Sequence, residues 1–229
     1  MSNITMDDTF LLSGDSGQCN GDPDSIQVGA FQERSLVAGP GERAVLWVSG
    51  CRRRCPGCFN PDLFAFDIGY RVSVDTLAER ILSIKGIAGV SYSGGEPFEH
   101  AVPLANLSRR IKAAGLSVLS YTGYRLEALR KLPERFGALL DEVDILIDGE
   151  YRQDLYGPFR WRGSENQTVH FLSTHPPEPH CDLGKIHEIQ ITLSDDSMFL
   201  TGFPSATDEQ ELAAILLRKG IVLKKVLNG

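Results

Sequence analysis

At 229 residues with 42% hydrophobic content, the chain is long enough for one domain, or one domain with an appendage, around a real core, which excludes disorder as its default state. A formal net charge of −7 and the lack of any long basic stripe speak against a nucleic-acid ligand. Residues 1–15 lack the basic-then-apolar order of a signal peptide and no run reaches the roughly eighteen apolar residues of a membrane span; the five cysteines fit metal ligation in a reducing, cytoplasmic setting better than a disulfide framework.

Residues 1–36 read as a mobile lead-in, loosest over 13–25, where Gly, Asp and Ser dominate. From Arg43 onward short apolar strands alternate with helical stretches: strand 44–49, helix 74–85, strand 88–93, helix 102–114, strand 117–122, helices within 125–140, strand 143–148 and strand 168–172. That order predicts an α/β fold with a parallel sheet of right-handed βαβ units. Leu77, Ile81 and Ile84 fall on one helix face, Leu104, Leu107 and Ile111 on another, and Gly115 stands where a helix should stop. Residues 173–184, with three prolines, read as a linker. An appendage over 185–229 follows: a hairpin of strands 188–193 and 198–203, a helix opened by Thr207 with Gln210 in a capping-box arrangement and stopped at Gly220, and a last strand over 221–226. This is a small ββαβ unit.

The loop after the first of these strands carries Cys51, Cys55 and Cys58 in a C-x3-C-x2-C spacing. A structural zinc site wants four Cys or His ligands, usually in two pairs, and no second pair follows. Iron-sulfur clusters are held by thiolates and normally use four. Three clustered thiols therefore point to a 4Fe-4S cubane with one iron open to a substrate. The competing readings are a fourth ligand from Cys19 or Cys181, giving a plain electron carrier, or three unrelated thiols. His175, His180, Cys181 and His187 match no standard metal set.

In parallel α/β folds the chemistry collects beyond the carboxyl ends of the strands. The Cys loop, Gly94-Gly95-Glu96, Thr122-Gly123 and Asp148 each follow a predicted strand, so four strand ends face one site. Gly94 and Gly95 permit close backbone approach, and Glu96 offers a carboxylate to a cationic group. Asp148 reads equally well as a turn carboxylate. The Arg52-Arg53-Arg54 triplet is the dense positive charge of an acidic chain, placed where it could steer an acidic electron donor. Trp161 and Phe159 read as core; Arg162, Asn166 and Gln167 suggest a polar, specific task.

These motifs carry a resemblance. Gly39-Pro40-Gly41, Val48-Ser49-Gly50-Cys51, Cys55-Pro56-Gly57-Cys58-Phe59-Asn60, Ser93-Gly94-Gly95-Glu96-Pro97, Tyr121-Thr122-Gly123-Tyr124, Ile147-Asp148-Gly149 and Trp161-Arg162-Gly163-Ser164-Glu165-Asn166-Gln167 occur in an order that resembles the radical S-adenosylmethionine superfamily. Within it the chain is most similar to the activating proteins of anaerobic ribonucleotide reductases, over residues 37–172. The resemblance implies a partial TIM-like barrel core and S-adenosylmethionine on the open iron, cleaved to a 5′-deoxyadenosyl radical that makes a glycyl radical on a partner enzyme. It also implies a flavodoxin or ferredoxin as electron donor. By the same resemblance Gly57 and Phe59 flank the adenine, Gly94, Gly95 and Glu96 meet the amino acid end, Thr122 and Gly123 approach the methionyl or ribose part, and Asp148 is a candidate for holding a monovalent cation. One departure stands out: Glu150 replaces the family's usual Lys. Two alternatives remain, a radical enzyme acting on a small molecule or peptide and a non-enzymatic iron-sulfur carrier.

Overall fold

A computed structural model describes residues 22–173, 184–186, 188–193 and 198–220. Its strands in chain order are β1 (Ser25–Ser35), β2 (Arg43–Val48), β3 (Tyr70–Ser73), β4 (Gly89–Gly94), β5 (Ser117–Tyr121), β6 (Ile145–Asp148), β7 (Tyr156–Phe159), β8 (Arg162–Ser164), β9 (Thr168–Phe171), β10 (Ile189–Leu193) and β11 (Met198–Gly202). The helices are α1 (Val74–Ser83), α2 (Ala101–Ala113), α3 (Leu126–Arg130), α4 (Pro133–Leu140) and α5 (Ala206–Arg218). Seven strands form one mixed sheet in the order β3-β1-β2-β4-β5-β6-β9.

Only β2, β4, β5 and β6 run parallel, linked by helical crossovers. The parallel repeat expected from the sequence does not extend to residues 168–172. β9 pairs antiparallel to β6 because the chain between them forms the short β7–β8 hairpin rather than a crossover helix. At the other edge β1 pairs antiparallel to both β2 and β3. This eleven-residue strand lies within the stretch read as a mobile lead-in. Its alternation is hidden because both faces are covered and a bulge between Val28 and Ala30 shifts the register: Ile26 and Val28 are buried in the main core, while Gln27, Ala30 and Gln32 are buried on the other side.

The main core lies between the sheet and the helices. Leu77 and Ile81 of α1, Leu104, Leu107 and Ile111 of α2 and Leu129, Phe136 and Leu139 of α3 and α4 pack on Leu46, Val90, Tyr92, Val118 and Leu146. Ser73 caps α1 by accepting from Thr76 N, at 3.1 Å. Gly115, at φ +80°, ends the turn after α2 as expected.

One charged residue belongs to the frame. Arg43 is fully buried at the amino end of β2, and burial pulls its guanidinium down to about 10. It donates to Ser91 Oγ (2.9 Å), Ser117 Oγ (2.8 Å), Val90 O (2.8 Å), Ser117 O (2.9 Å) and Pro40 O (3.3 Å), and so ties β2, β4 and β5 together. The Gly39-Pro40-Gly41 motif exists to cross this side chain: a Cβ on Gly39 would lie 2.8 Å from Arg43 Cδ, at a φ of +139°.

A smaller cluster of Leu119, Ile145, Ile147 and Trp161 covers the far face of the sheet, confirming Trp161 as core. The β10–β11 hairpin is present as expected and is fastened to β1. Gln32 Nε2 donates to Thr192 Oγ1 (3.1 Å), Thr201 Oγ1 donates to Gln32 Oε1 (2.6 Å), and Gln190 Oε1 accepts from Leu36 N (2.8 Å). The capping box of α5 is formed by Ser205 and Asp208, not by Thr207 and Gln210. Asp208 Oδ2 accepts from Ser205 N at 2.6 Å while Ser205 Oγ accepts from Asp208 N at 3.1 Å. The last strand expected over 221–226 lies outside the described residues.

Candidate metal centre and ligand pocket

Because β2, β4, β5 and β6 are parallel, their carboxyl ends bring the Cys loop, the Gly94-Gly95-Glu96 turn, Thr122-Gly123 and Gly149 to one edge of the sheet. Gly50, at φ +98°, turns the chain out of β2, and its N–H and that of Cys51 donate to Leu63 O (2.9 Å) and Phe64 O (3.1 Å). The loop then closes on itself through left-handed residues at Arg54 (φ +48°) and Gly57 (φ +73°). Backbone N–H groups surround the sulfurs: those of Arg53 and Arg54 reach Cys51, that of Tyr151 reaches Cys55, and Asn60 N lies 3.4 Å from Cys58 Sγ. Burial pushes all three thiols up from the ordinary cysteine range, and these N–H groups work against that shift by favouring the thiolate.

Glu96 is 1% exposed, and burial pushes its carboxyl up to about 7 against three donors that favour ionisation. Gly123 N donates to Oε2 at 2.8 Å, Phe98 N to Oε1 at 3.0 Å and Thr122 Oγ1 to Oε1 at 2.9 Å. Thr122 and Gly123 therefore position Glu96. Their local geometry has a further use: a Cβ on Gly123 would lie 2.4 Å from Arg53 Cδ, so the glycine leaves room for that arginine. His100 Nε2 and Ser49 O, 2.7 Å apart, link the turn after β4 to the end of β2.

The departure at position 150 is locally balanced. Arg53 Nη2 lies 2.9 Å from Glu150 Oε2 while its guanidinium stacks 5.0 Å above the Tyr124 ring. Arg52 pairs with the buried Glu99, which Arg135 (3.1 Å) and Tyr124 Oη (3.1 Å) also approach. Two members of the Arg triplet are thus held by carboxylates, leaving Arg54 as its exposed, unpaired member among the described residues. Gln167 locks the β7–β8 hairpin to the site. Its Oε1 accepts from Gly163 N (3.0 Å) and Ser164 N (3.2 Å), and its Nε2 donates to Gly149 O (3.0 Å).

Of the residues singled out in the sequence, Cys51, Cys55, Cys58, Phe59, Gly94, Gly95, Glu96, Thr122 and Gly123 line one pocket of about 110 Å³. Gly57 and Asp148 are not among its lining. A Cβ on Gly57 would meet the Gln153 side chain at 2.4 Å, so that residue serves the loop's fold. Asp148 is 1% exposed and engaged elsewhere: Oδ2 accepts from Leu126 N at the start of α3 (2.7 Å) and lies 3.1 Å from His170 Nε2, and Oδ1 pairs with Arg125 at 3.4 Å. These contacts are those of the turn-carboxylate reading of Asp148. The lining also contains Arg53, Tyr121, Tyr151, Gln167 and Phe203, none of which was picked out as a pocket residue. Cys19, Cys181, His175, His180 and His187 lie outside the described residues.

The donor set is three thiols without a clustered His or carboxylate pair in the same loop. Among the described residues no three His, Cys, Asp or Glu groups are set to hold a single metal ion. In a four-iron cluster each thiolate takes its own iron, so its ligands stand farther apart than around one ion. Cys51, Cys55 and Cys58 line one pocket with backbone N–H groups directed at their sulfurs, a donor set that fits a thiolate-held cluster. No described helix is long and apolar enough to cross a membrane.

Comparison with known proteins agrees with this geometry. The family model described as "4Fe-4S single cluster domain" matches residues 37–170. The chain is 35% identical over 148 residues to the anaerobic ribonucleoside-triphosphate reductase-activating protein of Escherichia coli (strain K12), an alignment taking in 60% of this chain and 93% of the relative. It is 34% identical over 140 residues to the protein of the same description from Enterobacteria phage T4, across 58% of this chain and 86% of the relative. The Haemophilus influenzae protein is 32% identical over 151 residues, at 61% and 94%.

Proposed function

The chain belongs to the 4Fe-4S single cluster domain family, and from that premise we propose that it is a radical S-adenosylmethionine activase that makes a glycyl radical on a partner enzyme. The partner we infer is an anaerobic ribonucleoside-triphosphate reductase, after the function named for its relatives. The observation that carries this reading is the meeting of three thiols with one buried carboxylate in a single pocket.

In this proposal Cys51, Cys55 and Cys58 hold the cluster. When bound, the cluster supplies the electron that cleaves S-adenosylmethionine to the 5′-deoxyadenosyl radical. The protein's own part is binding, orientation and exclusion of water. Glu96 receives the ligand's ammonium, and Thr122, Phe98 and Gly123 fix both carboxylate oxygens before the ligand arrives. Gly94 and Gly95 give the ligand backbone access: a Cβ on Gly95 would strike Gly50 O at 2.5 Å, so the turn and the Cys loop are already in contact. Phe59 forms an apolar wall beside Tyr151, with ring centroids 4.8 Å apart. We further read the four parallel strands as the barrel portion implied by the resemblance, working in a reducing cytoplasm with a flavodoxin or ferredoxin donor.

The test is anaerobic reconstitution followed by reduction with dithionite. Release of 5′-deoxyadenosine and methionine is expected, together with a glycyl radical signal when the candidate reductase is added. A reconstituted, reduced cluster that leaves S-adenosylmethionine intact refutes the proposal, and cleavage without a signal in the reductase refutes its choice of partner.

A further inference from the structure

The aromatic end of the pocket draws on a segment outside the matched residues 37–170. Gly202, at φ +111°, ends β11, and a Cβ there would lie 2.6 Å from Glu188 O; this left-handed residue turns the chain so that Phe203 reaches the lining. The Phe203 ring meets Phe59 edge-on at 5.2 Å and Tyr121 at 6.1 Å. Its carbonyl accepts from Tyr156 Oη at 2.9 Å. Gly163 completes the fit, since a Cβ there would lie 2.9 Å from both Phe203 and Phe59. The hairpin that leads to Phe203 is anchored on β1 by the buried Gln32–Thr201 bond.

We propose that Phe203 is a ligand-contacting residue: the C-terminal hairpin forms a fixed aromatic wall of the cluster pocket, against which the heteroaromatic ring of the bound ligand packs. The identity of that ligand as S-adenosylmethionine rests on the function proposed above. Aromatic rings pair edge-to-face or offset rather than as flat sandwiches; Phe59 and Phe203 already stand in that relation, and both line the pocket. Such a contact is worth roughly tenfold in affinity per stacked base. The wall would also restrict access to the cluster from the hairpin side.

The experiment uses the full-length, cluster-loaded protein and the variants Phe203→Ala and Phe203→Leu. Two quantities are measured: affinity for S-adenosylmethionine by calorimetry, and the rate at which a bulky iron chelator strips the cluster. Phe203→Ala is expected to weaken affinity roughly tenfold and to speed stripping, while Phe203→Leu keeps stripping slow but loses most of the affinity gained from the ring. Gln32→Leu, which removes part of the hairpin's fastening to β1 and lies outside the pocket lining, is expected to shift both quantities in the direction of Phe203→Ala but by less. Normal affinity and stripping in Phe203→Ala overturn the proposal, and full affinity in Phe203→Leu overturns its aromatic contact. If the wild type binds no S-adenosylmethionine yet Phe203→Ala strips faster, the wall stands and the ligand assignment falls.

Discussion

Replacing Glu96 by Gln separates ligand binding from the stability of the empty site. The carboxyl is raised from an ordinary value of 4.5 to about 7, first because it is buried. A carboxyl whose folded value lies above its unfolded value favours the folded state at low pH and loses that contribution as pH rises through the window from 4.5 to about 7. The shift corresponds to about 3 kcal/mol in favour of unfolding once the group is ionised. The Gln variant lacks this titration. Its Oε1 can keep the Phe98 N–H and the Thr122 hydroxyl, but an amide nitrogen would face the Gly123 N–H, costing about 1–3 kcal/mol at every pH. Relative to the wild type, the variant should therefore gain about 3 kcal/mol between about pH 5 and about pH 8, making up its low-pH deficit. Urea melts of the cluster-free protein at the two ends of that range provide the assay. With cluster present, calorimetry should show ten- to a hundredfold weaker binding of S-adenosylmethionine, about the worth of one charge-assisted bond. A stability difference that stays flat with pH would refute the buried-charge argument, and unchanged affinity would reduce Glu96 to a turn residue.

Replacing Cys51, Cys55 or Cys58 by Ala should abolish the reconstituted cluster, whereas Cys19→Ala and Cys181→Ala should keep it, as read from iron and sulfide content; loss in Cys181→Ala with the protein still folded would restore the four-thiol carrier. Arg43→Met should lower stability by about 3 kcal/mol or more, because it strands buried acceptors on β4 and β5, and a urea midpoint near wild type would contradict that role. Arg54→Gln should slow reduction by an acidic donor protein and flatten its salt dependence, with Arg52→Gln changing it less because Arg52 is already paired with Glu99; rates measured against ionic strength decide, and superimposable curves for Arg54→Gln would leave the triplet as a loop.

The site was legible because most of it is local. Each chemistry-bearing motif directly follows its own strand, so recognising four strands and four loops was enough to bring Cys51, Glu96 and Thr122 together. Asp148 shows the limit of that rule. It too ends a strand, yet its side chain turns to the first N–H of α3 and to Arg125, since the orphan donors at a helix start compete for a nearby carboxylate. The charge at position 150 shows the same limit: what the Lys-to-Glu departure means depends on Arg53, 97 residues away in sequence.

What stayed hidden depends on partners brought together only by the finished sheet. β1 carries two buried glutamines, and a Gln in an otherwise apolar stretch breaks the alternation that marks a strand unless its bonding partner is known. For Gln32 that partner is Thr201, 169 residues later. The same bond explains why the appendage's own sequence does not mark it as reaching the pocket. Its hairpin contains no cysteine and no glycine-rich phosphate turn, so nothing in its own composition points to a site. Once Gln32 fixes the hairpin on the edge of the sheet, Gly202 needs only one left-handed turn to deliver Phe203 to the pocket lining. A polar pair buried between β1 and the hairpin thus helps to shape an aromatic pocket whose reactive groups follow β2, β4 and β5.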